Sequence, residues 1–480
     1  MAEPTCVEQL APLDLSMPST YIRVLLVFEQ AGSALQIIQS LQSGLDKLSS
    51  QLPWLSGRVF QKASTQDRAS VLEIRWNASQ TLTLVDKGTI AAPYKPASSH
   101  GIPSEAIPSD VWPAPGMIDG ALLEMGAPVF AASIFRFADE GVGLCVCLHH
   151  NAVDGTGLSE IIRLWARNVV DPRFTFTSSP LSRSERLSAT LSLDLQAASS
   201  TSSDNLFMLH PEYSRIPPTM PEEFPSCTSK LFMISMHWID TLKELMCNDM
   251  SKAPSTNTVL CALIWATITR VRMQHNPSLG DGISRLGMAV NGRHRIGENF
   301  SGPESPFLGN AVVYSLSKFP AGALAASDET PVRSLAKICE HIAQSQSRSV
   351  INSRYIAEVY HLIDRMEDCR SLFVGWDLFG SRDLTITNWA DLGLYEMDFG
   401  DLLGRPKFVR LPYMEADGVA LILPRQRSAS QEVLEVMIML RRDHMDALEK
   451  DPMWQALLSR RSGDGGGVRP NVGDQKKEKF

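Results

Sequence analysis

Apolar and polar positions along the chain follow two periods, one of two residues and one of 3.6, and the segments that carry them alternate. "STYIRVLLVFEQ" (19–30) is an apolar run with strand character, and "ALQIIQSLQSGLDKLSSQLP" (34–53) repeats its apolar positions as an amphipathic helix does. Two further buried strands are predicted over "PVFAASIFRFA" (128–138) and "VGLCVCLHH" (142–150), parted by a "DEG" turn. In "PSTNTVLCALIWATITRVRMQH" (254–275) a Pro-Ser-Thr start precedes Val259, Leu260, Leu263 and Ile264 on one helical face. The pattern closes with a strand at "VALILPR" (419–425), then a strand and terminal helix in "LEVMIMLRRDHMDALEKDP" (434–452). Residues 84–126, rich in Pro, Gly and Ala, are expected to be extended loops, and the Ser-rich "LSATLSLDLQAASSTSSDNL" (187–206) is the linker candidate. The Gly-rich, charged tail 460–480 is expected to be disordered, and no internal repeat is found. The sum is a mixed α/β (α+β) chain.

Chemistry concentrates in "GLCVCLHHNAVDGTGLSEIIRLWAR" (143–167), where an apolar strand runs into a short turn and an amphipathic helix. Strand alternation puts His149 on the face of Cys147, and His150 on that of Leu148 and Val146. Leu158, Ile161, Ile162 and Trp165 fall at helical spacing, so the following helix packs on the sheet. A turn of Asn151, Ala152 and Val153 is short enough to bring Asp154 back toward His150, while Gly155 and Gly157 leave backbone room. A histidine at a strand end beside an acid is a candidate general base. The plainer reading is that Asp154 caps the helix and the histidines are satisfied core residues. Of the ten histidines, only His150 is followed by Asp at the fourth position on. A metal site of His149, His150 and Asp154 fails on spacing, because neighbouring strand residues point to opposite faces.

Composition narrows the classes. With 480 residues, 44% hydrophobic and 20% charged, the chain has material for two or three cores. A net charge of −8 supplies no basic field, so nucleic acid is not an expected partner. No run reaches the about 18–20 apolar residues of a membrane helix. No signal peptide is read in the first twenty residues, and the eight scattered cysteines suit reduced thiols, so a cytoplasmic protein is expected. Cys145 and Cys147 are read as small core residues on one strand face.

The segment HHNAVDG resembles the HxxxD(G) signature of the coenzyme A-dependent BAHD acyltransferases, whose wider superfamily includes chloramphenicol acetyltransferase and peptide-synthetase condensation domains. Further blocks resemble the family in order: "LAPLDLSMP" (10–18), "LDKLSSQLPWLSGRV" (45–59), "STNTVLCALIWATITRVR" (255–272), "MAVNGRHRI…PESPFLGNAVV" (288–313) and "ITNWADLGLYEMDFGDLLGRPKFVR" (386–410). Their flavour is that of fungal members similar to trichothecene 3-O-acetyltransferase.

The resemblance implies two chloramphenicol-acetyltransferase-like domains, each a mixed sheet flanked by helices, with a channel between them. The expected boundaries are 1–190, a linker or crossover at 191–225, a second domain at 226–458 and a tail at 459–480. It implies that His150 is the general base, with Thr387 and Trp389 lining the oxyanion. Asp154 would pair with Arg293, or failing that Arg295, and Gly155, Asp398 and Gly400 would support the architecture. His149 is then a packing neighbour. Lys252, Ser255 and Thr256 are the coenzyme A candidates, since a helix N-terminus favours phosphate. Acyl-CoA, as acetyl-CoA, is the implied co-substrate and a small hydroxylated metabolite the acceptor; no bound cofactor and no metal are expected, and a monomer is. The chain departs from the family after D-F-G, where Asp401-Leu402-Leu403 replaces the usual Trp-Gly, and at Asn291, where plant members have Asp. A carrier-protein-dependent condensing enzyme and a catalytically silent homologue are the competing readings.

Overall fold

The computed structural model describes residues 5–29, 32–62, 71–326, 331–427 and 433–458. Two central sheets organise it. In the first, β1 (Tyr21–Phe28), β2 (Leu84–Thr89), β3 (Phe130–Arg136) and β4 (Val142–His149) form the order β2–β3–β4–β1. The β1/β4 and β3/β4 pairs are antiparallel, and β2 lies parallel to β3. Val146 and Leu148 face the same side as their partners Val24 and Ile22. That side is covered by α1 (Ala34–Gln51) and α2 (Gly155–Val170), the two helices meeting where Trp165 Nε1 donates to the Leu41 carbonyl at 3.0 Å. Gly44 permits the crossing: a Cβ there would stand 2.5 Å from Val169 Cγ2.

The second sheet is built from β5 (Cys227–Ser235), β6 (Ile283–Asn291), β7 (Val312–Pro320), β8 (Leu384–Asn388), β10 (Val419–Ile422) and β11 (Val433–Arg441), in the order β5–β11–β10–β8–β6–β7. β8 runs parallel to both β6 and β10, and the remaining pairs are antiparallel. α3 (Thr256–His275) packs on it through the fully buried Trp265, whose Nε1 donates to Ser284 Oγ at 2.9 Å. The mixed α/β architecture of two sheet-and-helix halves is the one expected.

Three expectations are corrected. The stretch 84–126 is not merely loop: β2 lies within it, as do helices Tyr94–Ser99 and Gly120–Met125. Its strand was hidden because "LVDKGT" sits at a sheet edge with only Leu84 buried, so it lacks an apolar run. The Ser-rich segment is no free linker but three short helices, Arg183–Thr190, Ser192–Ala198 and Ser203–Leu209. Serines cap two of these helices, Ser182 just ahead of the segment accepting from Glu185 N and Ser202 within it from Asn205 N, while Leu187, Leu191, Ala198 and Leu206 are buried. The tail 460–480 lies outside the described residues.

The third correction concerns the halves themselves. β9 (Phe408–Arg410), placed by sequence inside the second domain, pairs antiparallel with Leu25–Val27 of β1 and becomes the edge strand of the first sheet. One buried core accordingly contains residues from both halves, Leu148 and Leu26 together with Phe307, Ile356 and Val409. The crossing strand is locked by Arg410, 2% exposed, whose two terminal nitrogens each lie 2.8 Å from an oxygen of Glu435 on β11. Removing one partner of such a buried pair strands a charge. Glu435→Leu is therefore expected to cost about 3–5 kcal/mol in urea unfolding, and the Arg410→Met/Glu435→Leu double variant markedly less than the sum of the singles.

Candidate functional site

The site grows from the end of β4. The last strand residue, His149, accepts the Ala152 N–H on its carbonyl at 2.8 Å and the Val153 N–H at 3.1 Å, closing a tight turn. His150 is held at the turn's start by its own N–H, which donates to the Thr20 carbonyl at 2.9 Å. Asp154 then caps α2, one carboxylate oxygen accepting from Gly157 N at 2.9 Å. Gly157 has no room for a side chain, since a Cβ would stand 2.2 Å from the Leu308 carbonyl oxygen.

Asp154 does not hydrogen-bond His150. It forms a bidentate pair with Arg293, 2.8 Å to one guanidinium nitrogen and 2.9 Å to another, and takes a further bond from Ala311 N at 3.0 Å. Both side chains are almost fully buried. The guanidinium also donates to the carbonyls of Phe307 and Gly309 at 2.9 and 2.8 Å, so both charges are saturated. The acid thus sets the turn rather than the imidazole. Arg295, the second candidate, is committed elsewhere, to the carbonyls of Gln346, Ser347 and Ile351.

His150 lines a cavity of about 320 Å³ together with Thr387, Trp389, Asn388, Asn291 and Thr156. Trp389 reaches it because Gly155 lacks a side chain: a Cβ there would lie 3.3 Å from the indole nitrogen. Of the two ring nitrogens, Nδ1 is buried without a closed hydrogen bond, facing the carbonyls of His150 and Val153 and the Asn310 amide, which leaves Nε2 for the cavity. Burial pulls the His150 pKa below its ordinary value; those carbonyls and the Asp154 charge oppose the shift without reversing it. His149 is a different case. It is fully buried, its ring edge-on to Tyr21 at 5.7 Å, Nδ1 accepts from Asn151 N at 3.2 Å, and burial with the neighbouring His150 drops its pKa to about 3.

The remaining sequence candidates are dispersed. Ser255 Oγ is used in capping α3, accepting from Thr258 N at 3.1 Å, and neither Ser255, Thr256 nor Lys252 lines the cavity. Their neighbour Asn257 does not line it either but holds a residue that does, accepting from Asn388 Nδ2 at 2.7 Å. Asp398 and Gly400 shape a turn, Gly400 N donating to Asp398 Oδ1 at 2.9 Å with Gly400 at φ +80°, and between them Phe399 packs edge-on against Phe28 and Trp165. The inserted Leu402 and Leu403 sit in a loop closed by Gly404 N donating to the Gly400 carbonyl at 2.7 Å. Among the described residues no three His, Cys, Asp or Glu come together as metal ligands.

Two residues without an assigned role in the sequence complete the site. Asp14, fully buried, receives Asn310 N and Asn310 Nδ2 on one oxygen, both at 2.9 Å, and Ala11 N on the other at 2.9 Å. Burial raises its carboxyl to about 6. Asn310 Nδ2 also donates to the His150 carbonyl at 2.9 Å, so the short helix Pro12–Leu15 and the loop before β7 brace the turn from behind. Both stand in blocks that carry the resemblance, "LAPLDLSMP" and "FLGNAVV", and only their meeting in space gives them a purpose.

Fold and site together define a protein built on two central sheets, with a half-buried histidine at the channel between its halves. The Transferase family matches residues 118–454, and residues 20–168 match the trichothecene 3-O-acetyltransferase-like N-terminal domain; the chain belongs to the Transferase family. It is 26% identical to a trichothecene 8-O-acetyltransferase of Fusarium sporotrichioides over 92% of this chain and 96% of that one. Among solved structures it superposes on TRI101 of F. graminearum complexed with ethyl coenzyme A with a TM-score of 0.78 at 19% identity, covering 95% of this chain and 99% of that one. TRI101 of F. sporotrichioides, complexed with coenzyme A and T-2, gives 0.75 at 21% identity over 94% and 99%.

The clamp yields a test. Asp154→Ala and Arg293→Ala are each expected to lower unfolding free energy by about 3–5 kcal/mol, and the double variant to fall well short of the sum. Full additivity in a double-mutant cycle would mean that the two side chains do not act as a pair.

Proposed function

We propose that the protein is an acyl-CoA-dependent O-acyltransferase, with acetyl as the acyl group and a small hydroxylated metabolite as acceptor, working by direct transfer. The observation that carries the reading is His150 itself: a half-buried imidazole whose Nδ1 faces carbonyls and whose Nε2 is turned to a cavity shared with Thr387 and Trp389. The names of its relatives, O-acetyltransferases and a protein solved with coenzyme A and a toxin, support the same chemistry.

With both substrates present, Nε2 takes the acceptor's hydroxyl proton as its oxygen attacks the thioester carbonyl. The C–O bond forms, and negative charge gathers on the former carbonyl oxygen. The hydroxyl of Thr387 and the indole N–H of Trp389 are the donors assigned to that oxygen. Collapse breaks the C–S bond, and the imidazolium returns its proton to the departing thiolate, leaving ester, free thiol and neutral His150. Carbonyls around Nδ1 favour the Nδ1–H tautomer, which keeps the Nε2 lone pair available. The clamped Asp154 keeps the turn in place, and Asn257 with Asn388 marks the mouth nearest the α3 N-terminus as the coenzyme side.

The test is thiol release from acetyl-CoA with a panel of hydroxylated metabolites, read alongside product mass. His150→Ala is expected to retain coenzyme A binding while losing about 10²–10⁴ in rate; normal turnover in that variant overturns the assignment. The pH profile carries a sign. Because the folded pKa lies below the free value of 6.5, the base stays neutral at pH 7, so kcat/KM is expected to be flat near neutrality. It should fall only as pH drops through that depressed pKa, and a midpoint above 6.5 would contradict burial of the base.

A further inference from the structure

A second cavity, of about 490 Å³, abuts the one that holds His150, and Met17, Pro18, Tyr314 and Thr385 belong to the walls of both. Its remaining wall is mostly hydrocarbon and aromatic, with Trp376, Phe373, Leu372 and Leu123 among the larger side chains. Among the described residues no carboxylate side chain lines it, and the one cation there, Arg370, is paired with Asp368 at 2.7 Å. Such a chamber is within the size range of sites for compact small molecules.

Trp376 is the fixed part of that wall. Its backbone neighbours are pinned on both sides, Gly375 N donating to the Glu212 carbonyl at 2.8 Å and Asp377 N to Asp383 Oδ2 at 2.8 Å. Phe373 and Val374, just upstream, pair with Ser214 and Tyr213 in a two-stranded ribbon. The indole N–H donates to Thr385 Oγ1 at 2.8 Å, and the ring meets Tyr314 edge-on at 5.4 Å. Its face lies on β6 at Gly287, where a Cβ would stand 2.5 Å from the indole. Any larger residue at Gly287 must push the ring off the sheet, toward the chamber.

Resting on the acyltransferase reading above, we propose that this second chamber seats the acceptor. It takes a neutral, hydrocarbon-rich alcohol, and Trp376, laid flat by Gly287 and Thr385, sets the size of skeleton accepted. The hydroxyl would pass the shared wall at Tyr314 and Thr385 to reach His150, while acyl-CoA approaches from the Asn388 side. Neutrality follows from the lining, since a charged skeleton would meet apolar walls with no counter-charge free to pair it. Selection by size follows from rigidity, because a wall pinned on every side cannot yield to a bulkier ring system.

The experiment measures calorimetric binding of cyclohexanol, borneol and estradiol, in the presence of coenzyme A, to wild type, Trp376→Ala and Gly287→Val. Trp376→Ala is expected to raise the estradiol-to-cyclohexanol affinity ratio by about tenfold, and Gly287→Val to weaken borneol by about tenfold. Coenzyme A affinity should stay within about twofold in both, which also reports that the variants fold. If coenzyme A binds but the alcohols bind none of the three proteins, or bind all three alike, the acceptor assignment is overturned. If the variants change coenzyme A affinity instead, the chamber belongs to the donor and the proposal is equally lost. Failure of wild type to bind coenzyme A at all would instead bring down the acyltransferase reading on which this one rests.

Discussion

The arrangement depends on one buried ion pair. Asp154 and Arg293 come from different halves of the chain, and each side chain is almost fully withdrawn from water. Burying two charges carries a desolvation cost that only full hydrogen bonding offsets. Here every partner is supplied: Gly157 and Ala311 N–H groups on the acid, and the Phe307 and Gly309 carbonyls on the base. One carboxylate therefore caps α2, closes the turn after β4 and fastens the loop before β7 against it. His150 is a residue of that turn, and its place in the channel is a consequence.

A second tie runs the other way. β9 leaves the second half to complete the first sheet, and Arg410 on it is anchored to Glu435 of β11. With Asp14 bracing Asn310 behind the His150 turn, the halves are held by buried polar contacts and not by an open linker alone. The cavities lie where these crossings leave space, one beside His150 and one walled by Trp376. A channel between the two halves suits a reaction that must align two substrates.

The family signature was readable because its residues serve local needs. A strand end, a three-residue turn, an N-cap acid and two glycines are adjacent in sequence, and their geometry follows from neighbours alone. Strands β1, β3 and β4 and helices α1 and α3 were legible for the same reason, each carrying a full apolar period. Less was legible where polarity misled. β2 is an edge strand with exposed polar residues, and the helices of 183–209 bury so few positions that their serines read as linker.

By itself, the sequence determined the strands and helices that carry a full apolar period, the spacing that singles out His150 and Asp154, and the ordered blocks that place the chain in its family. It also narrowed the partner of Asp154 to two arginines, and the structure chose Arg293 because Arg295 is occupied by carbonyls of the 346–351 turn. Tertiary structure alone decided that Asp154 makes no hydrogen bond to His150, and that Asp14 meets Asn310 across 296 positions of chain. It alone decided that β9 changes sheets and that Gly287 lets Trp376 lie flat. The physical reason is common to all four. Periodicity and capping are settled within a few residues, whereas these contacts depend on which distant groups burial forces together, and no local pattern records that.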